Sequence, residues 1–238
     1  MTDSHSRDAR RVREMFGAIA GRYDLLNHAL SLNIDRLWRR RAARELGLSP
    51  GARVLDLCGG TGDLSLVVAR RSPGVGVVCC DFSHPMLALA SAKFRRRGVE
   101  SRCAAVEADG LRLPFRPESF DAVTVAFGVR NLADLETGMR ETLRVLKPGG
   151  KLVVLEFSHP TSRFIAPAYR FYLHRVLPWL GDGVSGRSGP YRYLAATIAG
   201  FPDPAALAGR IREAGFAAVG WTLVTGGIVA IHTAVKAR

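Results

Sequence analysis

Short apolar segments alternate with amphipathic segments along the chain from residue 52 onward. The apolar segments are nearly continuous runs of Val, Leu, Ile and Cys, which predict β-strands, and the segments between them have the apolar spacing of helices. The predicted strands cover residues 52–58, 75–82, 101–109, 120–127 and 151–158, and the predicted helices cover residues 63–71, 84–97 and 135–146. Such a pattern is typical of a parallel sheet with helices on both faces.

The C-terminal end departs from this alternation. A predicted helix over residues 204–214 is followed by two predicted strands, residues 217–225 and 227–236, which are separated only by Gly226. So short a connection can join only antiparallel neighbours. An α/β sheet closed by such a hairpin resembles the class I methyltransferase fold, whereas a dinucleotide-binding dehydrogenase keeps its sheet parallel.

Two segments lie outside the alternation, and neither is large enough to fold alone. Residues 1–48 are predicted to be a helical, arginine-rich N-terminal lid, and residues 159–202 form an insertion rich in aromatic residues, Pro and Gly. We therefore expect a single domain over residues 1–238, with the cofactor-binding core at 49–158 and the last helix and closing hairpin at 203–238.

The chain is strongly basic, with a net charge of +13 from 34 Lys+Arg against 21 Asp+Glu. Such an excess favours an anionic partner, either nucleic acid or an acidic membrane surface, although arginines on solvated faces would also explain it. The sequence has no run of 18 apolar residues, and its polar N-terminus lacks the apolar segment of a signal peptide. We therefore expect a cytoplasmic protein, either soluble or peripheral at the inner face of the membrane.

The four cysteines lie in apolar, strand-like segments. Cys58, Cys79, Cys80 and Cys103 have neither the spacing of a disulfide framework nor that of a zinc site. They are predicted to be small buried side chains, and no metal site is predicted.

The segment VLDLCGGTGD, residues 54–63, runs from a predicted strand through a glycine-rich turn into a helix. Glycines are required where a tight turn brings the backbone close to a ligand. The predicted cofactor-binding residues of this segment are Asp56, Gly59, Gly60, Thr61 and Gly62. Asp81 ends the second predicted strand, where a carboxylate can accept hydrogen bonds from the ribose hydroxyls of a nucleoside. These features suit NAD and S-adenosylmethionine equally well.

Two further acids favour S-adenosylmethionine over NAD. Asp109 ends the third predicted strand, where it can hold an adenine amino group. Asp63 places a negative charge at a helix N-terminus, which repels a pyrophosphate and tolerates a sulfonium better.

At this point the sequence resembles the C-methyltransferases of ubiquinone and menaquinone biosynthesis, over nearly the whole chain. The matching motifs are MFGAIAGRYDLLNHALSLNIDRLWRR, GGTGD, FGVRN, RVLKPGGKLVVLEFS, YRFYLHRVLPWLG and AGFAAVGWTLVTGGIVAIH. The sequence departs from the family pattern at Ala126, where a serine is common, at Asp35, where histidine is common, and at Cys58, which replaces the first glycine of the loop.

The resemblance implies methyl transfer from S-adenosylmethionine to a ring carbon of a membrane-resident polyprenyl quinol. It places Thr61, Asp81 and the pair Asp109-Gly110 at cofactor-contacting positions. It also makes Tyr23 and Asn27 candidates for the quinol pocket, although Tyr23 could instead be an aromatic residue that covers the cofactor cleft.

Arg130 and Asn131 follow the fourth predicted strand, and ligands of open α/β sheets bind at the carboxyl ends of the strands. A phenol with a pKa near 10 is only about 0.1% ionised at neutral pH, and a nearby guanidinium lowers such a pKa by roughly 1 to 3 units. We therefore hypothesise that Arg130 stabilises a quinolate and that Asn131 hydrogen-bonds a ring oxygen. The alternatives are a surface arginine paired with Asp134 or Glu136, and a helix N-cap at Asn131.

The insertion contains a segment in which aromatic and aliphatic residues alternate with cations. This pattern suits an interfacial helix on anionic lipid, but a helix that packs internally or in a homodimer would show it too. The residues are Phe164, Ile165, Tyr169, Phe171, Tyr172, Leu173, Leu177, Trp179 and Leu180, interleaved with Arg163, Arg170, His174 and Arg175.

Demethylmenaquinol is the substrate that the sequence favours, because Asp35 in place of histidine resembles the menaquinone-making members. The alternative within the family is 2-polyprenyl-6-methoxy-1,4-benzoquinol of ubiquinone biosynthesis. An RNA methyltransferase would suit the positive charge, but the sequence lacks an RNA-binding module, a catalytic cysteine motif and a stacking array, so no nucleic-acid partner is expected. A non-catalytic protein that binds adenosylmethionine is a further alternative.

Overall fold

A seven-stranded sheet organises the molecule. The computed structural model describes residues 14, 17, 20, 21, 23–25, 27–29, 31–160, 162–163, 165–176 and 190–238. The strands are β1 (Arg53–Leu57), β2 (Gly76–Asp81), β3 (Cys103–Glu107), β4 (Phe120–Ala126), β5 (Leu146–Phe157), β6 (Ala217–Val224) and β7 (Val229–Val235). Their order in the sheet is β3-β2-β1-β4-β5-β7-β6.

The sheet is parallel except at its C-terminal edge. Strands β1 to β5 run parallel, β7 pairs antiparallel with β5, and β6 pairs antiparallel with β7. The predicted hairpin is therefore confirmed, and a short 3-10 turn, Thr225–Gly227, connects its strands. In this order β1 lies between β2 and β4, so the loops after these three strands meet at one edge of the sheet.

Helices cover both faces of the sheet. They are α1 (Asp35–Glu45), α2 (Asp63–Arg71), α3 (His84–Arg96), α4 (Leu135–Val145), α5 (Ile165–Phe171), α6 (Pro190–Ala199) and α7 (Pro204–Glu213), with a π-helical turn at Tyr172–Val176. The described residues between positions 14 and 29 are also helical. Asp134 caps α4 by accepting hydrogen bonds from the backbone N–H groups of Glu136 and Thr137.

Two apolar layers hold these helices against the sheet. One layer packs α1, α2 and α3 on one face through residues such as Trp38, Val68 and Phe94. The other packs α4 and α7 on the opposite face through residues such as Met139 and Ile211. Neighbouring strand residues alternate between the layers, as the pleat of a sheet requires.

A smaller apolar cluster joins the two described parts of the insertion. Tyr169 and Leu173 pack against Ala195 and Ile198 of α6. None of the described helices has the length and apolar content that crossing a membrane requires. All four cysteines are free thiols; three are buried and Cys58 is partly exposed.

Strand β5 is longer than predicted. The sequence Lys147-Pro-Gly-Gly150 predicts a turn before the strand, but β5 already begins at Leu146, which pairs with Phe120. The pairing shifts register between Phe120 and Ala122, and Gly149 adopts a φ of 75°. The Pro-Gly-Gly segment is therefore an irregularity within the strand.

Candidate active site

A cavity of about 490 Å³, lined by acidic, glycine and apolar residues, lies at the carboxyl ends of β1, β2 and β4. It brings together seven of the predicted cofactor-binding residues, namely Asp56, Gly59, Gly60, Thr61, Asp81, Asp109 and Gly110. The eighth, Gly62, does not line this cofactor cavity: it precedes α2 with a φ of 79°, and a Cβ there would lie 2.7 Å from the Phe94 ring. Gly62 thus serves the packing of α2 against α3.

Asp81 holds the glycine-rich loop in place. Its Oδ2 accepts a hydrogen bond from the Gly60 N–H at 2.9 Å, and its Oδ1 accepts one from the Ser83 N–H at 2.9 Å. The residue is only 7% exposed. These two backbone bonds fix the carboxylate at the wall of the cofactor cavity, because it cannot turn without losing one of them.

Asp109 and Gly110 form the part of the wall that follows β3. The Oδ1 of Asp109 accepts a hydrogen bond from the Leu111 N–H at 2.9 Å, while the rest of the side chain is exposed. Gly110 is buried, and a Cβ there would lie 2.9 Å from the Leu132 side chain. A larger residue beside Asp109 would therefore displace the Leu132 side chain.

Asp56 is completely buried under the glycine-rich loop. Its Oδ2 accepts a hydrogen bond from the Ser65 hydroxyl at 2.6 Å, whereas its Oδ1 has no hydrogen-bond partner among the described residues. Burial raises the pKa of Asp56 to about 6, against the opposing effect of the Ser65 hydrogen bond. An unused acceptor at the cavity wall is suited to a ligand N–H donor.

The N-terminal lid is tied to the cofactor cavity through Asp24. One oxygen of Asp24 accepts a hydrogen bond from the Thr61 hydroxyl, and the other lies 2.7 Å from Lys93 Nζ. Lys93 also lies 2.6 Å from Asp63 Oδ1, and His28 Nε2 lies 3.5 Å from Asp63 Oδ2. The negative charge of Asp63 is thus balanced, and its predicted repulsion of a pyrophosphate is weaker than the sequence suggested.

His28, Asp35 and Asp63 offer ligand atoms within 4.8 Å of one another. Each carboxylate already has a cation nearby, because Lys93 lies 2.6 Å from Asp63 and Arg39 lies 3.6 Å from Asp35. This arrangement suits internal ion pairing better than a metal ion.

A second, largely apolar cavity of about 340 Å³ adjoins the first. Tyr23 and Asn27, the predicted quinol-pocket residues, both line it. Its apolar walls come from α1, the ends of β4 and β5, the insertion and the hairpin turn, and include Trp38, Phe127, Phe157, Ile165, Tyr169, Leu173, Ile198 and Ile228. Tyr23, Arg39 and Phe127 line both cavities and therefore mark the boundary between them.

Phe127 is held at this boundary by an uncommon backbone conformation. Its φ is 59°, and its N–H donates to the Leu155 carbonyl oxygen at 2.8 Å. A bulky residue at positive φ is unfavourable and persists where the surroundings require it. The ring packs against Phe157 at 4.6 Å and Trp38 at 6.1 Å between centroids. At the next residue, Gly128, a Cβ would lie 2.3 Å from that of Cys58.

Arg130 lines the apolar cavity and is buried rather than at the surface. Its Nη1 lies 2.7 Å from Glu156 Oε1 and donates to the Phe127 carbonyl oxygen at 2.6 Å. The side chains of Arg130 and Glu156 are only 4% and 1% exposed. The alternative pairing of Arg130 with Asp134 or Glu136 is therefore wrong, and Arg130 and Glu156 form a buried pair with no net charge.

Asn131 lines the cofactor cavity and is absent from the described lining of the apolar cavity. Its Oδ1 accepts a hydrogen bond from the Tyr193 hydroxyl at 3.3 Å. It ends a short 3-10 helix, Val129–Asn131, and the N-cap of α4 is Asp134. The N-cap alternative for Asn131 is therefore wrong.

Sequence reasoning did not assign Arg39, Lys93 or Glu156 to the site. Glu156 had a detectable signal, since it is a single acid inside an apolar strand and such a residue needs a partner. Arg39 belongs to the run Arg39-Arg40-Arg41. It differs from its two neighbours only because it lies on the buried face of α1, which the sequence does not reveal.

We predict that Asp56 gives folding stability a specific pH dependence in the ligand-free protein. With a folded-state pKa of about 6 against 3.8 for the unfolded chain, the native state binds more protons between these values, so stability falls as pH rises through this window. Asp56→Asn removes the effect. Denaturant unfolding should show the stability of Asp56→Asn rising relative to the parent by about 2 kcal/mol from pH 4 to pH 7.

Asp121→Asn is a control of opposite sign. Hydrogen bonds from Lys147 and the Arg53 backbone, against some desolvation, lower the pKa of Asp121. Its carboxylate therefore contributes stability that is lost as pH falls. Parallel stability curves for the parent and Asp56→Asn would contradict the raised pKa.

The whole chain matches one protein family. The model of the ubiE/COQ5 methyltransferase family covers residues 2–236. The chain is 51% identical over 219 residues to a demethylmenaquinone methyltransferase of Thermus thermophilus, covering 92% of this chain and 98% of that protein. It is 48% identical over 225 residues to the demethylmenaquinone methyltransferase of Mycobacterium sp. strain KMS, covering 94% of each.

The fold agrees with solved methyltransferase structures. A SAM-dependent methyltransferase from Aquifex aeolicus superimposes with a TM-score of 0.62 at 17% identity, covering 83% of this chain and 88% of that one. This likeness confirms the predicted class I methyltransferase fold with its antiparallel C-terminal hairpin. With a family match from end to end and curated relatives close to half identical, the chain belongs to the ubiE/COQ5 methyltransferase family.

Proposed function

We propose that this chain transfers the methyl group of S-adenosylmethionine to a ring carbon of demethylmenaquinol, in menaquinone biosynthesis. The observation that carries the proposal is the pair of adjoining cavities, one lined by carboxylates and glycines and one largely apolar, which share Tyr23, Arg39 and Phe127. Relatives named demethylmenaquinone methyltransferase, which match over nearly the full chain, support this quinol rather than the ubiquinone precursor or an RNA.

The cofactor cavity suits S-adenosylmethionine. When bound, this cofactor supplies an electrophilic methyl group on a sulfonium. Asp81 would accept hydrogen bonds from the ribose hydroxyls, and Asp109 with Gly110 would hold the adenine edge. The unused Oδ1 of Asp56 would accept from the ammonium group of the methionine moiety.

Gly59, Gly60 and Thr61 would let the methionine moiety approach the backbone of the loop. A Cβ at Gly59 would lie 3.0 Å from the Asp56 carbonyl oxygen and 2.6 Å from the Cys79 sulfur, so the loop keeps its shape only with glycine there. The acidic lining as a whole suits a cationic cofactor better than a dinucleotide.

The apolar cavity suits the naphthoquinol ring and the start of its prenyl chain. Aromatic side chains form its walls, and stacking on such rings stabilises a flat ligand. Tyr23 lies at the boundary with its side chain half-buried, and desolvation raises the pKa of Tyr23 although the charges of Arg130 and Arg39 oppose the rise. Its hydroxyl therefore stays protonated at neutral pH and can donate to a ring oxygen, while Asn27 offers a second polar contact.

Arg130 is the residue that we propose to favour the ionised quinol. Because Glu156 balances its charge, Arg130 acts chiefly through its N–H groups, and its Nε has no hydrogen-bond partner among the described residues. The lowering of the quinol pKa should then lie near the small end of the 1 to 3 units typical of a nearby guanidinium. Methyl transfer would join the ring carbon to the methyl group as the methyl–sulfur bond breaks, which depends on positioning more than on covalent help. The hydrogen of the attacked carbon would then leave as a proton, accepted by water or another simple acceptor.

Asn131 is proposed to orient the reactants from the cofactor side of the boundary. The hydrogen bond from Tyr193 fixes its side-chain oxygen, which leaves the amide N–H₂ as the available donor. A direct bond to a ring oxygen requires the ring to extend past Phe127 toward the cofactor cavity.

The substrate is proposed to enter from a membrane surface. Ile165 and Phe171 of α5 are 37% and 65% exposed, and Arg163, Arg170 and Arg175 are exposed nearby. Leu32, at the wall of the apolar cavity, is 80% exposed. Tyr169 and Leu173 pack internally, so the segment combines a packed face with an exposed one. Phe164, Leu177, Trp179 and Leu180 lie outside the described residues, and the described residues give no argument for a homodimer.

The proposed function is tested by following labelled methyl groups from S-adenosylmethionine. Three acceptors are compared at equal concentration: demethylmenaquinol, the methoxybenzoquinol of ubiquinone biosynthesis and total RNA. We expect label chiefly in demethylmenaquinol, with faster transfer from anionic vesicles than from zwitterionic ones, because the exposed arginines attract anionic lipid. Label in RNA alone, or in no acceptor, would refute the proposed activity, and equal rates from both vesicles would refute only the membrane contact.

The role of Arg130 is tested with Arg130→Lys. Lysine keeps the charge but cannot contact Glu156, Phe127 and the quinol together, since it lacks the planar arrangement of donors. We expect turnover to fall about tenfold or more while calorimetric affinity for S-adenosylhomocysteine stays within about twofold, because Arg130 does not line the cofactor cavity. Arg140→Lys, on the exposed side of α4, is the matched control and should keep full activity. Unchanged turnover of Arg130→Lys would remove Arg130 from the mechanism.

A further inference from the structure

The walls of the cofactor cavity carry an unequal set of charges. Four carboxylates line it, those of Asp56, Asp63, Asp81 and Asp109. Among the described lining residues, Arg39 is the single cation. Lys93, outside this lining, balances Asp63 at 2.6 Å. An anionic group of a ligand in this cavity would therefore be repelled by the other three carboxylates and attracted by Arg39.

Arg39 is buried and incompletely paired. The residue is 8% exposed, and its Nε makes no hydrogen bond to any described residue. The nearest carboxylate, that of Asp35, lies 3.6 Å from Nε and already binds His28 Nδ1 at 2.9 Å and the Ser31 hydroxyl at 2.8 Å. A buried guanidinium with an unused donor is unfavourable unless a further acceptor reaches it.

The guanidinium is also held in a defined position. Its carbon lies 5.2 Å from the centroid of the Phe127 ring, within the range of a cation–π contact. On the other side Arg39 faces Asp56 and Asp63. Burial acts to raise the pKa of each carboxyl group, and the charge of Arg39 acts to lower it. Arg39 thus lies between the glycine-rich loop and the boundary with the apolar cavity.

S-adenosylmethionine has one anionic group, the α-carboxylate of its methionine moiety, beside a cationic ammonium and a cationic sulfonium. The ammonium and sulfonium suit the acidic walls, whereas the carboxylate requires a cation. Ribose and adenine are assigned to the walls formed by Asp81 and Asp109, which leaves the methionine end for the part of the cavity formed by Asp56, the loop and Arg39.

We propose that Arg39 binds the α-carboxylate of S-adenosylmethionine. This inference rests on the cofactor of the proposed function and not on the identity of the quinol. The contact would bring an acceptor to the guanidinium of Arg39, whose Nε has no partner among the described residues, and it would anchor the methionine end beside Phe127. With the amino acid held there, the sulfur and its methyl group lie next to the apolar cavity.

The test compares two ligands that differ only in the carboxylate. Calorimetry measures the affinity of the parent and of Arg39→Gln for S-adenosylhomocysteine and for its decarboxylated analogue, S-adenosyl-3-thiopropylamine. We expect Arg39→Gln to lower the affinity for S-adenosylhomocysteine about 10- to 100-fold, as for the loss of a charge-assisted hydrogen bond. The affinity for the analogue should change less than about threefold. The ratio of the affinity for S-adenosylhomocysteine to that for the analogue should therefore fall strongly in Arg39→Gln.

Arg40→Gln is the matched control, because it removes the same charge from the exposed side of the same helix. It should leave both affinities unchanged. If Arg39→Gln does not fold, Arg39→Lys replaces it: lysine keeps the charge with fewer donors and should reduce the affinity ratio by a smaller factor.

Several charged or titratable groups face Arg39, and the measurements are therefore made at a constant pH of 7.5. They are Tyr23, His28, Asp35, Asp56, Asp63 and, beyond Tyr23, Arg130.

An unchanged ratio of affinities in Arg39→Gln would overturn the proposal, whether the affinities for both ligands fall equally or neither changes. Normal cofactor affinity with lost turnover would assign Arg39 to the quinol instead and would also overturn it. Since no quinol is present in the calorimeter, failure of the proposed quinol activity leaves this result unaffected.

Discussion

Parallel pairing of β1 with β2 and β4 is the constraint on which both cavities depend. It brings the loops that follow these strands to one edge of the sheet, so that Asp81, the glycine-rich loop and Phe127 face one another. The loops are then fixed by their own hydrogen bonds, above all those from Gly60 and Ser83 to Asp81. The lid is attached through Asp24, which contacts both Thr61 and Lys93, and it contributes Tyr23 to the cavity wall.

Charge is arranged differently in the two cavities. The cofactor cavity keeps several carboxylates close together, which suits a ligand with cationic groups and hydroxyls. Arg130 lines the apolar cavity, and the buried carboxylate of Glu156 cancels its charge, so a neutral ring can bind beside it. Between them lies Phe127, held at positive φ, which lines both cavities. Such an arrangement suits the proposed methyl transfer between a water-soluble cofactor and a lipid, because each would bind poorly in the surroundings of the other.

The sequence predicted most of the sheet and its helices because apolar periodicity alone defines them. The family, the fold class and S-adenosylmethionine as cofactor are confirmed by the match to the ubiE/COQ5 family and by the methyltransferase neighbours. The start of β5 was predicted too late, because the pairing of Leu146 with Phe120 is a long-range contact that a local Pro-Gly-Gly signal hides. Predicted site residues from distant segments do meet at the two cavities, but their roles in binding and catalysis stay predictions.

What the sequence could not supply was the partner of each charged side chain. Arg130 pairs with Glu156, which lies on the neighbouring strand, and Asp63 pairs with Lys93 of α3. Arg39 is distinguished from Arg40 and Arg41 only by its burial. Such pairings depend on which faces of distant elements meet.

The most direct test is the structure of a ternary complex with S-adenosylhomocysteine and a short-chain demethylmenaquinone. The account predicts the sulfur on the cofactor side of Phe127 and the unmethylated ring carbon opposite it, among Tyr23, Arg130 and Phe157. A naphthoquinone ring bound away from the apolar cavity, with the cofactor in place, would contradict the account.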